Sequence, residues 1–238
     1  MSRGEPRRRL AETPRAEAPR RSIAVIGDLV ASRRVAQAER SLLQRELERL
    51  VATLNKRYRH AIAARFLVTL GDEFQGVLQR ADAIPDLIWD IETGLPDVDV
   101  RLGIGFGTLL PPFKPLALGM DGPAFHAARE AIEFARKRRV HGGVFIGFGA
   151  TEDAVLNGLA RLLRHEREGL SKAQLATLAR LRQGHSQAEI AKELRLTRQA
   201  VSSRARSAAW EAFSEGERVW RAVLTGFDVS GEWQRGSR

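Results

Sequence analysis

Residues 65–79 read RFLVTLGDEFQGVLQ, two apolar runs separated only by Gly71 and Asp72. Short runs rich in β-branched and aromatic residues predict β-strands, and a two-residue break between them predicts a tight hairpin. A further run, SIAVIGDLV at residues 22–30, predicts a buried strand upstream of the hairpin. Together these runs predict the centre of a β-sheet.

Helical and extended patterns alternate around this hairpin. From Ala36 to about His60, apolar residues recur at three- and four-residue steps, which predicts an amphipathic helix. Further helices are predicted at residues 81–91, 123–138 and 152–168, and further strands at 98–110 and 143–148. The order β-α-β-β-α-β-α-β-α predicts an α+β fold with a split-βαβ, ferredoxin-like sheet and one added strand.

Three glycines, Gly103, Gly105 and Gly107, alternate along the strand predicted at 98–110. Glycine in a strand allows another backbone or a ligand to approach closely. The glycines are therefore consistent with a ligand at the sheet or with a helix that crosses it, and the sequence leaves both interpretations open.

Basic residues are concentrated at the two ends of the chain. The net charge is +10, and residues 171–238 hold 12 basic and 7 acidic side chains, whereas residues 21–170 are nearly balanced. This distribution suits a polyanion-binding module attached to a domain that need not touch nucleic acid.

Composition excludes several kinds of protein. The chain has no cysteine, which excludes structural disulfides and thiolate zinc sites. No apolar stretch reaches about 18 residues, so we expect no membrane-spanning segment and no membrane partner. The basic N-terminus lacks the apolar run of a secretory signal, and a cytoplasmic location is the default expectation.

The C-terminal third carries two helix-start signals in close succession. Residues 186–205 read SQAEIAKELRLTRQAVSSRA, in which Ser186 and Glu189 match a capping box and Thr197 can cap the next helix. The segment resembles the helix-turn-helix of sigma-factor region four and of LuxR-type regulators, over about 40 residues. Arg195 departs from that pattern because the turn often has glycine there, so we expect a left-handed backbone at this residue.

This resemblance implies double-stranded DNA as a partner, with the helix that follows Thr197 in the major groove. Arginine suits guanine and glutamine suits adenine, since both can bond bidentately to base edges. The predicted contacts lie off the apolar face marked by Val201: Arg198, Gln199, Ser202, Ser203 and Arg206, with Arg204 assigned to a phosphate. The alternative is a helical hairpin that contacts protein.

Two aspartates are placed where predicted strands end. Asp28 ends the first strand and Asp72 lies at the tip of the hairpin, so their carboxylates can converge if the first two strands are central neighbours. Facing carboxylates repel unless a divalent cation or a proton lies between them. Leu29, Ser32 and Arg33 then lead into the next helix, whose free N–H groups suit an anion. The alternative is a strand-end cap and an ordinary turn aspartate.

Four segments, IGDLVASR, VTLGDEFQGVL, VRLGIGFGTL and GPAFHAAREAI, occur in this order between about residues 22 and 150. They resemble the SatD family and, more distantly, class III nucleotidyl cyclases; the GDEF tetrad is similar to that of diguanylate cyclases. The resemblance implies a nucleotide with Mg²⁺ held by Asp28 and Asp72. It extends the predicted nucleotide site to Gly71, Glu73 and Arg129.

The catalytic part of the cyclase pattern is not retained. The position of the base-reading lysine is Val68, that of the transition-state asparagine is His126, and that of the arginine is Glu130, with Arg129 one residue out of register. Cyclisation of a nucleoside triphosphate needs positive charge near the developing phosphate oxygens, and a carboxylate at position 130 opposes it. Leu70 also replaces the first glycine of the diguanylate cyclase signature. We therefore predict nucleotide binding without turnover.

The sequence as a whole predicts a DNA-binding transcriptional regulator whose N-terminal domain binds or senses a nucleotide, including a cyclic mono- or dinucleotide. Its expected parts are a disordered basic arm (1–20), a cyclase-like sheet domain (21–150), a connecting helix (151–169), a helix-turn-helix domain (170–226) and a tail (227–238). A homodimer is expected because helix-turn-helix proteins usually read paired half-sites. Two alternatives remain: an active nucleotidyl cyclase or other phosphoryl-transfer enzyme using Mg²⁺ at Asp28 and Asp72, and a constitutive DNA-binding protein whose first domain only dimerises.

Overall fold

The computed structural model describes residues 17–30, 37–69 and 71–235. The predicted ligand-binding residues Ser32 and Arg33, and most of the predicted basic arm, lie outside them. The strands are β1 (Arg20–Leu29), β2 (Ile62–Val68), β3 (Glu73–Leu78), β4 (Val100–Leu109) and β5 (Gly142–Ile146). The helices are α1 (Gln37–Arg57), α2 (Ile84–Gly94), α3 (Pro123–Arg138), α4 (Ala150–Glu168), α5 (Lys172–Arg182), α6 (Gln187–Leu194), α7 (Arg198–Ser207), α8 (Trp210–Thr225) and α9 (Ser230–Arg235).

The sheet has the strand order β2-β3-β1-β4-β5. Strand β1 is antiparallel to both β3 and β4, and β5 is parallel to β4. This arrangement confirms the predicted α+β fold with a split-βαβ sheet and an added strand. The expectation that the first two strands are neighbours is wrong, because β3 lies between them. The hairpin still reaches β1, since the N–H of Leu29 donates to the carbonyl of Asp72 at 3.2 Å.

Alternate residues of β1 face two different layers of helices. Ile23 and Val25 belong to a hydrophobic cluster that includes residues of α1, α2, α4 and α8, whereas Ala24 and Ile26 pack with α3. The alternation follows from the period of two of a β-strand. The sheet is therefore buried on both faces.

The glycines of β4 accommodate α3. A Cβ atom at Gly103 would lie 2.1 Å from the carbonyl oxygen of Ala128, and one at Gly105 would lie 2.2 Å from the amide nitrogen of Ala128. Distances this short exclude any side chain at the two positions while α3 stays where it is. Of the two interpretations of these glycines, the structure supports helix packing, and this packing places the last turn of α3 beside the end of β1.

Helices α6 and α7 begin where the sequence predicts. The side chain of Ser186 accepts from the N–H of Glu189, whose side chain accepts from the N–H of Ser186 in return. Thr197 caps α7 by accepting from the N–H of Ala200 at 3.1 Å. Arg195, in the turn between α6 and α7, has the expected left-handed backbone, with φ of 53°. A small cluster, Ile190, Ala191 and Val201, joins α6 to α7.

The C-terminal helices share the core of the sheet. Leu178 of α5 and Phe213 and Trp220 of α8 are buried in the same cluster as Phe145 of β5. The hydrophobic core therefore continues across the boundary predicted between residues 169 and 170. Where the sequence predicts a tail, α9 packs on the sheet, because the buried Trp233 donates from its ring nitrogen to the carbonyl of Arg21 at 3.1 Å. None of the described helices has the length and apolar character that a bilayer crossing requires.

Candidate functional site

A row of three charged residues crosses the sheet at the end of β1. Asp28 pairs with Glu73 of β3 on one side and with Arg101 of β4 on the other. All three lie on the face that α3 covers, because Asp28 follows Ala24 and Ile26 at intervals of two residues. We call Glu73, Asp28 and Arg101 the charged row.

Helix α3 adds a guanidinium group that joins the two carboxylates of the charged row. Nε of Arg136 donates to Oδ2 of Asp28 at 2.9 Å, and its Nη2 donates to Oε2 of Glu73 at 3.2 Å. We call this arrangement the Arg136 bridge. Nη1 of Arg101 donates to the same Asp28 oxygen at 3.3 Å, and Nη1 of Arg129 lies 3.9 Å from Oε1 of Glu73.

The electrostatic environment keeps the Arg136 bridge charged. Partial burial lowers the pKa of Arg136, but the hydrogen bonds and charges of Asp28 and Glu73 outweigh burial and raise this pKa above its usual range. Asp28 is 6% exposed, and its other oxygen, Oδ1, is buried and has no hydrogen-bond partner among the described residues. An unpaired buried oxygen is costly, so the carboxylate is only partly satisfied.

The structure brings together only some of the predicted ligand-binding residues. Asp28, Glu73 and Arg129 meet at the charged row, and Gly71 is exposed in the hairpin turn with φ of 64°. Leu29 lies apart from an accessible site: the residue is 3% exposed in the core, and its N–H is bonded to the carbonyl of Asp72. A residue that continues the strand ladder has no free donor for an anion.

The residues present do not fit the predicted Mg²⁺ in this arrangement. Magnesium takes oxygen ligands in a nearly octahedral shell, usually including one or two carboxylates. Here Oδ2 of Asp28 already accepts from two guanidinium groups, and Glu73 accepts from Arg136. Within the described ranges, no group of three or more His, Cys, Asp or Glu side chains could hold a metal ion. At Asp28, Arg101 and Arg136 supply the positive charge that the sequence assigns to a metal held by Asp28 and Asp72.

Sequence reasoning missed Arg101 and Arg136, although both leave a signal in the sequence. Arg101 precedes Gly103 and Gly105 by intervals of two, which places it on the same strand face. Arg136 follows Arg129 by seven residues, which is two helical turns and therefore the same helix face. The sequence does not show the strand pairing and helix position that place these faces of β4 and α3 beside Asp28.

Helix α7 exposes the side chains predicted to contact DNA. Arg198, Gln199, Ser203 and Arg206 are exposed, and Ser202 and Arg204 are half-buried. Val201 and Ala205 are buried on the opposite side. The predicted inward and outward faces of this helix are therefore those of the structure.

The two acidic residues of α6, Glu189 and Glu193, bind partners that lie outside the exposed face of α7. Glu193 accepts from Nε of Arg180 at 2.8 Å and lies 3.0 Å from Nδ1 of His185. Glu189 is held in the capping box with Ser186, and its hydrogen bonds to the Ser186 backbone and side chain lower its pKa. Helix α7 itself has three arginines and no acidic residue.

The fold and the charged row define a mixed α+β protein with a split-βαβ sheet and an arginine-bridged carboxylate pair. The SatD family profile matches residues 22–215, and the chain belongs to the SatD family. The match extends beyond the sheet through α5, α6 and α7, farther than the sequence segments that resemble the family. A comparison with curated proteins finds no match.

Two solved structures are similar to part of the chain. One is the catalytic core of a rhodopsin-guanylyl cyclase with converted specificity in complex with ATPalphaS, with 16% identity, coverage of 51% of this chain and 76% of that chain, and a TM-score of 0.39. The other is a bacterial light-regulated adenylyl cyclase, with 15% identity, coverage of 52% of this chain and 43% of that chain, and a TM-score of 0.40. The nucleotide and the light regulation are properties of those proteins.

Proposed function

We propose that this SatD-family protein is a DNA-binding transcriptional regulator in which α6 and α7 form a helix-turn-helix and α7 is the recognition helix. The observation that supports it is the exposed face of α7, which carries Arg198, Gln199, Ser203 and Arg206 opposite the buried Val201. A recognition helix needs donors on one face and an apolar anchor on the other.

The charge around α7 favours nucleic acid over protein as the partner. Phosphates attract guanidinium groups, and acidic neighbours would weaken that attraction. Glu193 pairs with Arg180 and Glu189 caps α6, so neither is left unpaired beside α7. We assign Arg198, Gln199 and Arg206 to base edges and Arg204 to a phosphate.

The proposed second part of the function is nucleotide binding without turnover at the sheet. Arg129 and Arg136 have side chains that are 52% and 40% exposed, and guanidinium groups bind phosphate oxygens in pairs. The Arg136 bridge engages Asp28, one of the two carboxylates predicted to hold a catalytic metal, which favours a binding site over an active cyclase. We propose a homodimer as the DNA-binding form, because paired half-sites match twofold symmetry.

The DNA-binding proposal is tested by selection from a randomised double-stranded DNA pool with the full chain. We expect enrichment of a defined sequence, with two half-sites if the protein binds as a dimer. Affinity should fall as salt rises, since phosphate contacts release counterions. A pool that stays unenriched at low salt would contradict a DNA-reading function.

The nucleotide proposal is tested by thermal unfolding with nucleoside triphosphates, cyclic mononucleotides and cyclic dinucleotides, each with and without Mg²⁺. A ligand at 100 times its Kd stabilises the folded state by about 2.7 kcal/mol, and Arg129→Ala should reduce this shift. Arg138→Ala, which removes an exposed charge from the same helix, is the matched control and should leave the shift unchanged. Absence of any shift would favour a domain that only dimerises.

The enzyme alternative has a separate readout. Incubation with ATP or GTP and Mg²⁺ or Mn²⁺, followed by chromatography, detects any cyclic product. Formation of a product that Asp72→Asn abolishes would replace the binding proposal by catalysis.

A further inference from the structure

We propose that the solvent-facing side of α1 is a second DNA-binding surface, which contacts the phosphate backbone of double-stranded DNA without reading its sequence. The surface consists of Arg45, Arg49 and Lys56, which we call the basic stripe. The choice of duplex DNA as the partner rests on the proposed function, whereas the surface itself is separate from α7 and from the charged row.

The basic stripe follows from the helical period of α1. Arg49 follows Arg45 by four residues and Lys56 follows Arg49 by seven, so the three side chains share one face of the helix. All three are exposed. The rise of about 1.5 Å per residue makes this row of cations about 16 Å long. Arg59, which is also exposed, lies in the turn after the helix and continues the row.

The opposite face of α1 is fixed to the core. Leu47 and Leu54 are fully buried, in the same hydrophobic cluster as Leu178 of α5 and Phe213 of α8. The basic stripe therefore projects into solvent from a helix that is held in place. It lies on the face of the sheet that α5 and α8 share, and α3 covers the other face.

The cations of the basic stripe have no anionic partner within the described ranges. None of the three side chains forms an ion pair or a hydrogen bond there. Glu46 and Glu48 lie on either side of the row, and Glu48 accepts a hydrogen bond from the side chain of Gln44 at 3.4 Å. The positive charge of the row is therefore free to attract a separate anion.

The near-balance of charge over residues 21–170 conceals this surface. Acidic side chains of the sheet domain are paired with other arginines: Asp90 with Arg57 at 3.1 Å, and Glu92 with Arg164 at 2.7 Å. These pairs leave the cations along α1 in local excess. The expectation that this domain need not touch nucleic acid counted charges without their positions.

Stabilisation of α1 itself does not explain the basic stripe. Lys56 lies in the last turn, where the helix dipole favours a cation. Arg45 and Arg49 lie in earlier turns, where this effect has faded. A line of unpaired cations matches duplex DNA, which carries one negative charge per about 1.7 Å of its axis.

The test is the salt dependence of binding to duplex DNA of random sequence, measured by fluorescence anisotropy with the full chain. Arg45→Gln/Arg49→Gln should lower the slope of log K against log salt by about 2, since each phosphate contact contributes about 0.9. Lys137→Gln/Arg138→Gln is the matched control. It removes the same charge from exposed side chains of α3, on the other face of the sheet, and should leave the slope unchanged.

Circular dichroism checks that each variant folds, and Arg49→Gln alone, with an expected change in slope of about 1, replaces a double variant that does not. An equal slope in the wild-type chain and in the folded α1 variants would overturn the proposal. So would an unchanged slope together with lost binding to phosphatidylserine vesicles, because the basic stripe would then face a membrane.

The same assay separates this surface from α7. In Arg198→Ala/Arg206→Ala, binding to random DNA should persist and should still depend on Arg45 and Arg49. A wild-type chain that prefers no sequence, but whose slope falls in Arg45→Gln/Arg49→Gln, would contradict the recognition helix and support the basic stripe. Sequence preference with an unchanged slope in the α1 variant would do the reverse.

Discussion

At the end of β1, Asp28 is a nearly buried carboxylate that accepts hydrogen bonds from two arginines distant in the sequence. Arg101 comes from the neighbouring strand and Arg136 from the helix that covers the sheet. Separating a buried charge from its partners leaves the remaining charges uncompensated, which costs more than the pair contributes when it forms. The charged row is therefore a feature of stability as well as a candidate binding site.

This arrangement predicts the effect of neutralising Asp28. Asp28→Asn should lower the free energy of unfolding by about 2 to 3 kcal/mol, because Arg101 and Arg136 lose their shared anion. Asp121→Asn is the matched control: its side chain is 72% exposed, and we expect a change within about 0.5 kcal/mol. Chemical denaturation measures both. An equal loss in the two variants would show that burial of the charged row contributes no specific stability.

From local pattern alone, the sequence predicts a site residue where it stands next to a strand end. The place of Asp28 at the end of an apolar run predicts it, whereas Glu73 and Arg129 follow only from the resemblance to cyclases. Arg136 is 108 positions away from Asp28, and nothing local connects the two. The sequence does not separate Leu29 from the loop that follows it, whereas in the structure the strand ladder continues through its N–H.

At the scale of elements, the packing of α3 on β4 fixes where the arginines lie. The two surfaces approach so closely that Gly103 and Gly105 leave no room for a Cβ atom. This contact sets the position of the last turn of α3 and hence of Arg136. The glycines are required for the site although they do not touch it.

The close contact between α3 and β4 predicts opposite effects on stability for alanine at two different glycines. Gly105→Ala should lower the free energy of unfolding by about 1 to 3 kcal/mol or more, since helix and strand must separate. Gly158→Ala, in α4, has nothing within 4 Å of the added Cβ atom and should raise stability by up to about 1 kcal/mol, because alanine favours a helix. Thermal and chemical unfolding measure both changes in the free energy of unfolding. Gly105→Ala with wild-type stability would mean that α3 is free to move.

Most helices and strands follow from periodicity, and the order of the strands does not. The 3.6- and 2-residue patterns predict β1 to β5 and α1 to α4 to within a few residues, and capping residues predict the starts of α6 and α7. The pairing of β1 with β3 depends on long-range register, which no local pattern encodes. The same reason explains α9, because Trp233 and the preceding Val229 are too few apolar residues to indicate a packed helix until the sheet provides its surface.

At the scale of the whole molecule, α5 and α8, the helices that flank α6 and α7, are joined to the sheet domain by ion pairs as well as by apolar packing. Arg182 of α5 bonds to Glu217 of α8 at 2.7 Å and to Asp86 of α2 at 3.0 Å, and its guanidinium lies 4.2 Å from the centre of a Trp89 ring. Its side chain is 8% exposed. Any change in the sheet that moves α2 would therefore reach α5 and α8 directly.

This connection gives the proposed regulator a physical basis. The sheet holds the charged row, α2 and α8 join it to α5, and α7 exposes the proposed DNA-contacting side chains. A nucleotide bound at the sheet can shift the affinity for DNA only by as much as the affinity of the protein for that nucleotide differs between its two states. Regulation of transcription by this route depends on our proposal that α7 contacts DNA.

The most direct test of that claim is the affinity of Arg198→Ala/Arg206→Ala for the DNA sequence that the wild-type chain selects, measured by fluorescence anisotropy at fixed salt. Two contacts worth about 1 to 3 kcal/mol each predict at least about thirtyfold weaker binding. Arg218→Ala, which removes an exposed charge from α8, should stay within about twofold of wild type. Wild-type affinity in the double variant would contradict the assignment of α7 as the recognition helix.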